Sequence, residues 1–137
     1  MKSLLITILL STLIACNIGA GSFPYVEKYE FEMEETDLIE AINNFKKKNP
    51  QYNVPIELQL VDERDSHWYH IYFYFPEENQ ILHTWTRSTK IGKTTFAYVS
   101  VNEGLTLGNW KHINKDFSAS ENEKQKKLFE ERIVKQL

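Results

Sequence analysis

Two stretches of the chain concentrate side chains able to bind or react. Trp68, His70, Tyr72 and Tyr74 fall at every second position of one run, and His83, Trp85 and Arg87 do the same in the next. Alternate residues of an extended chain share a face, so each run presents one row of rings carrying hydrogen-bonding tips. Trp, Tyr and Arg dominate binding surfaces because they combine large rigid area with a polar end. Such a row suits a protein partner or stacked sugar rings. Other chemistries find less support. His70 and His83 lack the further ligands of a metal site: the one cysteine is far away at position 16 and no HExxH spacing occurs. Ser66 and His67 are adjacent, which points their side chains apart in a strand, and no Gly-x-Ser-x-Gly is present. Carboxylates are plentiful, but nothing sets two of them in an apolar cleft. The loop from Gly104 to Gly108 lacks the Lys and following helix of a phosphate cradle. We therefore expect no cofactor, no metal and a non-enzymatic protein, the remaining alternative being a small enzyme whose site is assembled from loops.

The chain has 137 residues, 42% hydrophobic, 13% aromatic and 26% charged, which suits one domain able to bury a core. A single Cys excludes an internal disulfide framework and any multi-cysteine zinc site. Rows of aromatic residues can stack single-stranded bases, but a net charge of -3 supplies no attraction for a polyanion, so no nucleic-acid partner is expected.

The first 16 residues, MKSLLITILLSTLIAC, run from a basic start through an apolar stretch to that cysteine. From Leu4 to Ala15 the apolar stretch counts 12 residues. As a helix it would reach about 18 Å, short of the roughly 30 Å hydrocarbon core, so a signal peptide fits better than a membrane span. Leu13-Ile14-Ala15-Cys16 resembles the lipobox of bacterial lipoproteins, matching at all four positions. That resemblance implies cleavage after Ala15, a thioether-linked diacylglycerol on Cys16 and, in many bacteria, acylation of the new amino group. Each buried methylene contributes about 0.8 kcal/mol, so two or three acyl chains would hold the protein permanently at a membrane. Asn17, in place of Asp, implies by the same resemblance the outer membrane, with the domain facing the periplasm. Cleavage would take away Lys2 and no acid, leaving 15 basic and 19 acidic residues. The chain as a whole looks like small uncharacterised lipoproteins of Bacteroidetes-type bacteria, on the lipobox and an aromatic, Lys/Glu/Asn-rich domain; this resemblance implies no activity.

The expected organisation is a signal peptide over 1–15, the lipidated Cys16 with a flexible tether through residue 22, and one α+β domain over 23–137. Six small residues from Asn17 to Ser22 would span about 13 Å as a coil, keeping the domain close to the membrane. Alternation from Tyr25 to Met33 predicts a strand, with Glu30, Glu32 and Glu34 on a solvated side rather than in a cation site. Leu38, Ala41, Ile42 and Phe45 predict a helix capped by Asp37 and Glu40. Lys46 to Lys48 complement its C-terminal dipole, and a contact with anionic lipid is the alternative use for them. Strands are expected at Ile56–Val61, His67–Phe75, Gln80–Arg87 and Thr94–Val101. A loop carrying Trp110 and His112 follows, then a helix capped by Ser120 and Glu123 that presents Phe129, Ile133 and Leu137. The order β-α-β-β-β-β-α, with short linkers, implies an antiparallel sheet of four to five strands with two helices.

A four-residue turn at Pro76–Asn79 would pair Phe75 with Gln80. Counting outward, one face pairs Phe73 with Leu82 and Ile71 with Thr84. The other pairs Tyr74 with Ile81, Tyr72 with His83, His70 with Trp85 and Trp68 with Arg87, and gains Phe96 and Tyr98 if the next turn keeps parity. Two roles stay open for this aromatic face: a core covered by helices or the C-terminal loop, or an exposed binding surface.

Overall fold

The computed structural model describes residues 22–137; the lipobox, Cys16 and the tether before Ser22 lie outside the described residues. The hairpin of β3 (Trp68–Phe75) and β4 (Gln80–Lys90) sets the frame. Its register runs from Phe75 opposite Gln80 through Tyr72 opposite His83 to Tyr69 opposite Thr86, as counted from the turn. Asn79 adopts φ 51° to close that turn, a left-handed position Asn tolerates because its short side chain can bond locally.

Around the hairpin lie β1 (Glu27–Phe31), α1 (Glu35–Lys48), β2 (Glu63–Asp65), β5 (Lys93–Glu103), β6 (Trp110–His112) and α2 (Ala119–Arg132). The fold is α+β. Its sheet is antiparallel and six-stranded, in the order β1-β5-β4-β3-β2, with β6 on the same edge of β5 as β1. Two short strands, β2 and β6, are additions to the expected set. The expected strand at Ile56–Val61 is absent: Ile56–Leu58 forms a 3-10 turn. Pro55 cannot donate to a ladder and Gln59 sits at φ 56°, so the chain cannot stay extended, and Ile56 and Val61 are left exposed.

The parity of β5 also differs from expectation. Lys90 pairs with Lys93 across the Ile91-Gly92 turn, but Thr89 is extra, so Ser88 meets Thr94 and Thr86 meets Phe96. One inserted residue moves a whole row of side chains to the other side. Phe96 and Tyr98 therefore point to the helix side and not to the aromatic face. A second irregularity at Val99 restores the original register, leaving His83 opposite Ser100.

Both helices cover that one side. Leu38, Ile42 and Phe45 of α1 and Phe129 and Ile133 beyond it pack on Ile71, Phe73, Leu82, Phe96, Tyr98 and Val101. Phe129 sits at the centre, its ring 4.5 Å from that of Tyr98 and 5.4 Å from that of Phe96. Polar links clamp the layers. Lys46 Nζ donates to Asp62 Oδ2 at 2.7 Å and to the Tyr72 carbonyl at 2.6 Å. Arg132 makes a two-pronged bond to Glu78 at 2.7 and 2.8 Å.

Helix α1 begins earlier than expected, with Glu34 in the cap position and making no side-chain cap bond. Glu34 and Glu35 are engaged elsewhere: Gly92 N donates to Glu34, while Ser88 N and Arg64 donate to the buried Glu35. The helix start serves as a dock for the β4–β5 hairpin. Helix α2 is capped by Ser118, which accepts from Glu121 N at 3.3 Å, two residues before the expected cap.

Candidate functional site

The sheet face away from the helices carries the aromatic rows. On β3 it presents Trp68, His70, Tyr72 and Tyr74, and on β4 Ile81, His83, Trp85 and Arg87. Of the residues singled out by sequence, Trp68, His70, Tyr72, His83, Trp85 and Arg87 come together there. Tyr74 stands at the turn end, where its hydroxyl donates to Asn79 Oδ1 at 2.8 Å. Tyr98 does not belong to this face: it is fully buried against Phe129 because the Thr89 bulge turns its strand over.

At the centre, His70 Nδ1 and His83 Nε2 are 2.8 Å apart, one donating and the other accepting. Their rings stack at 5.0 Å, and Tyr72 stacks on the other side of His83 at 5.0 Å. Trp110 of β6 closes the column edge-on at 6.2 Å from His83. Burial lowers the pKa of His83 to about 3, with the neighbouring His70 and His112 adding to the effect. Burial also lowers that of His70, opposed by the carboxylates of Asp65 and Glu63. The pair is neutral at pH 7. Burial, with the charges of Asp62 and Glu63, raises the Tyr72 hydroxyl, which remains a donor. The mutual bond occupies one ring nitrogen of each histidine. Among the described residues, no group of three or more His, Cys, Asp and Glu is arranged to hold a metal ion.

Beside this column lies a pit. Trp85, 5% exposed, forms its floor with Ala97 and Val99, and Trp68 forms a wall with the Arg87 guanidinium 5.6 Å from its ring. The indole Nε1 of Trp85 has no hydrogen-bond partner among the described residues. Phe23 fills the pit: its ring lies 5.2 Å from Trp68, edge-on, and 5.7 Å from Trp85. Sequence reasoning missed Phe23, Val26 and Trp110. A lone aromatic after a Gly-Ser stretch carries no periodic signal, and Trp110 belongs to a strand of three residues, too short to alternate.

Charge is distributed unequally around the face. One open cleft of about 360 Å³ is bounded by Glu63, Asp65, His70, Tyr72 and His83. Another, of about 270 Å³, is bounded by Lys28, Trp85, Arg87 and hydroxyls of Ser88, Thr89 and Thr95. A further cleft, about 470 Å³ between the helices near Asn44, Tyr52 and Arg132, lies on the opposite side and receives none of these rings. Chemically the face offers flat π surfaces, neutral donors and acceptors at its centre, carboxylates at one rim and cations at another. No helix of the described residues is long and apolar enough to cross a membrane. Compared with models of known families, with curated proteins and with solved structures, the chain matches none.

Proposed function

We propose that this chain is a non-enzymatic envelope lipoprotein, cleaved before Cys16, held by acyl chains on that sulfur at the periplasmic face of the outer membrane, and binding a protein partner through its aromatic face. One observation carries the binding half of this reading. Trp68, His70 and Tyr72 stay partly exposed on the side of the sheet that the helices leave open. Rings with polar tips in a partly desolvated patch are the side chains that concentrate binding energy. The specific version we favour is an immunity-type protein that occupies and neutralises an antibacterial toxin. The anchor half rests on Leu13-Ile14-Ala15-Cys16.

Placing a photo-reactive phenylalanine analogue at position 72 or, on the exposed face of α2, at position 124 tests the binding half in cells. We expect discrete adducts from position 72 and none from 124. Equal patterns from both would refute a specific face. Incorporation of labelled palmitate that Cys16→Ser abolishes is the expected result for the anchor, and unlabelled wild-type chain would refute it.

A second reading, a glycan-binding accessory lipoprotein, is favoured by the cleft in which Tyr72 lies near Glu63 and Asp65. Ring stacking beside carboxylate acceptors suits a sugar with its hydroxyls. Adducts that carry glycan and no polypeptide would select it.

A further inference from the structure

The pit on the aromatic face already holds a ligand, supplied by the chain itself. Phe23 arrives on a strap, Ser22 to Val26, that crosses the face without joining the sheet. Pro24 and Tyr25 form a turn within the strap, but among the described residues no backbone-to-backbone hydrogen bond ties it to the rest of the chain. Pro24 has no N–H to offer. What holds the strap is side chains: the Phe23 ring, the half-buried Val26, the Lys115 ammonium 5.3 Å from the Tyr25 ring, and one hydrogen bond, from Asn114 Nδ2 to the Tyr25 carbonyl at 2.9 Å.

The receptor, by contrast, is built from the sheet. Trp68, His70, His83 and Trp85 are fixed by the β3–β4 register, and Ala97 and Val99 by β5. A segment seated by side chains on a preformed pit can leave without unfolding what lies beneath it.

We propose that Phe23 is a displaceable occupant, and that the partner docks by inserting an aromatic side chain of its own extended segment where the Phe23 ring lies. The proposal rests on reading the aromatic face as a binding surface, and deepens it by naming the anchor chemistry. The tethered plug acts as a built-in competitor. Its effective concentration is set by the short strap and reaches the millimolar range or more, so a free peptide meets a site that is mostly filled. Displacement would also release the strap, adding its length to the chain between Cys16 and the sheet.

A capped synthetic peptide with the sequence of residues 20–26 is the probe. It is titrated into the full chain in detergent, wild type and Phe23→Ala, with tryptophan fluorescence as the readout. The Phe23→Ala chain is expected to bind the peptide at least tenfold more tightly than wild type. A peptide with alanine in place of its phenylalanine should not bind, and adding Trp68→Ala to the Phe23→Ala chain should remove binding. Equal affinity in both chains, equal binding of the alanine peptide, or no binding at millimolar peptide overturns the inference. So does loss of a cooperative urea transition in Phe23→Ala, since Phe23 would then be part of the folding core. Cross-linking from position 72 reads the broader binding proposal separately, so failure of one is not failure of the other.

Discussion

The two faces of the sheet are similarly rich in rings and treat them differently. On the helix side, Phe73, Phe96, Tyr98 and Phe129 are fully buried and interlock around one centre. On the other side, Trp68, His70 and Tyr72 remain partly exposed; His70 and Tyr72 stack on His83, and a single phenylalanine from the strap meets Trp68 edge-on. Aromatic content alone therefore does not define a core. What defines it is a second layer: among the described residues there are two α-helices, both are spent on one face, and the opposite face is left to solvent or a partner.

The contrast should be sharpest in stability. Truncating Phe129→Ala opens a cavity against Tyr98, Phe96 and Phe73, and we expect a loss of about 3–5 kcal/mol in urea unfolding. Lys46→Met is the next test on that side. It removes the cation held between Asp62 and the Tyr72 carbonyl, and loosens α1 from β3. The methyl end retains packing on the Phe73 ring, so the expected cost is about 1–3 kcal/mol.

Acid should probe the aromatic face selectively. An unfolded histidine titrates near pH 6.5, about where His83 cannot, since burial brings its folded pKa to about 3. Between those values the unfolded chain binds a proton that the folded chain refuses. The stabilisation is complete above pH ~6.5 and is lost as pH falls towards 3, amounting to about 2 kcal/mol lost by pH 5. His70 shifts the same way, moderated by Asp65 and Glu63. Urea midpoints measured at pH 7 and pH 5 should converge in His83→Phe; an unchanged acid sensitivity would locate the titrating group elsewhere.

Much of this contrast was legible in the sequence. Alternation and the four-residue turn fix the β3–β4 register, because a buried face tolerates no slip. Which side chains share each face of the hairpin follows from it. What escaped was local geometry with no compositional signature. A bulge at Thr89 looks like any Ser-Thr-Lys stretch, yet it moves Tyr98 from the candidate site into the core. Apolar residues from Ile56 to Val61 mimic a strand, and only Pro55 and the left-handed Gln59 break it. Which face the helices cover, and that Phe23 folds back over the other, depends on contacts distant in sequence that no periodicity records.

The central claim is that one face folds the protein and the other binds. The most direct test pairs two readouts on a single variant, Trp68→Ala with Tyr72→Ala: urea unfolding, and cross-linking to the partner from a photo-reactive group at position 70. We predict a stability loss below about 2 kcal/mol, well under that of Phe129→Ala, together with disappearance of the adducts. Adducts retained at wild-type yield, or destabilisation equal to that of Phe129→Ala, would contradict the account.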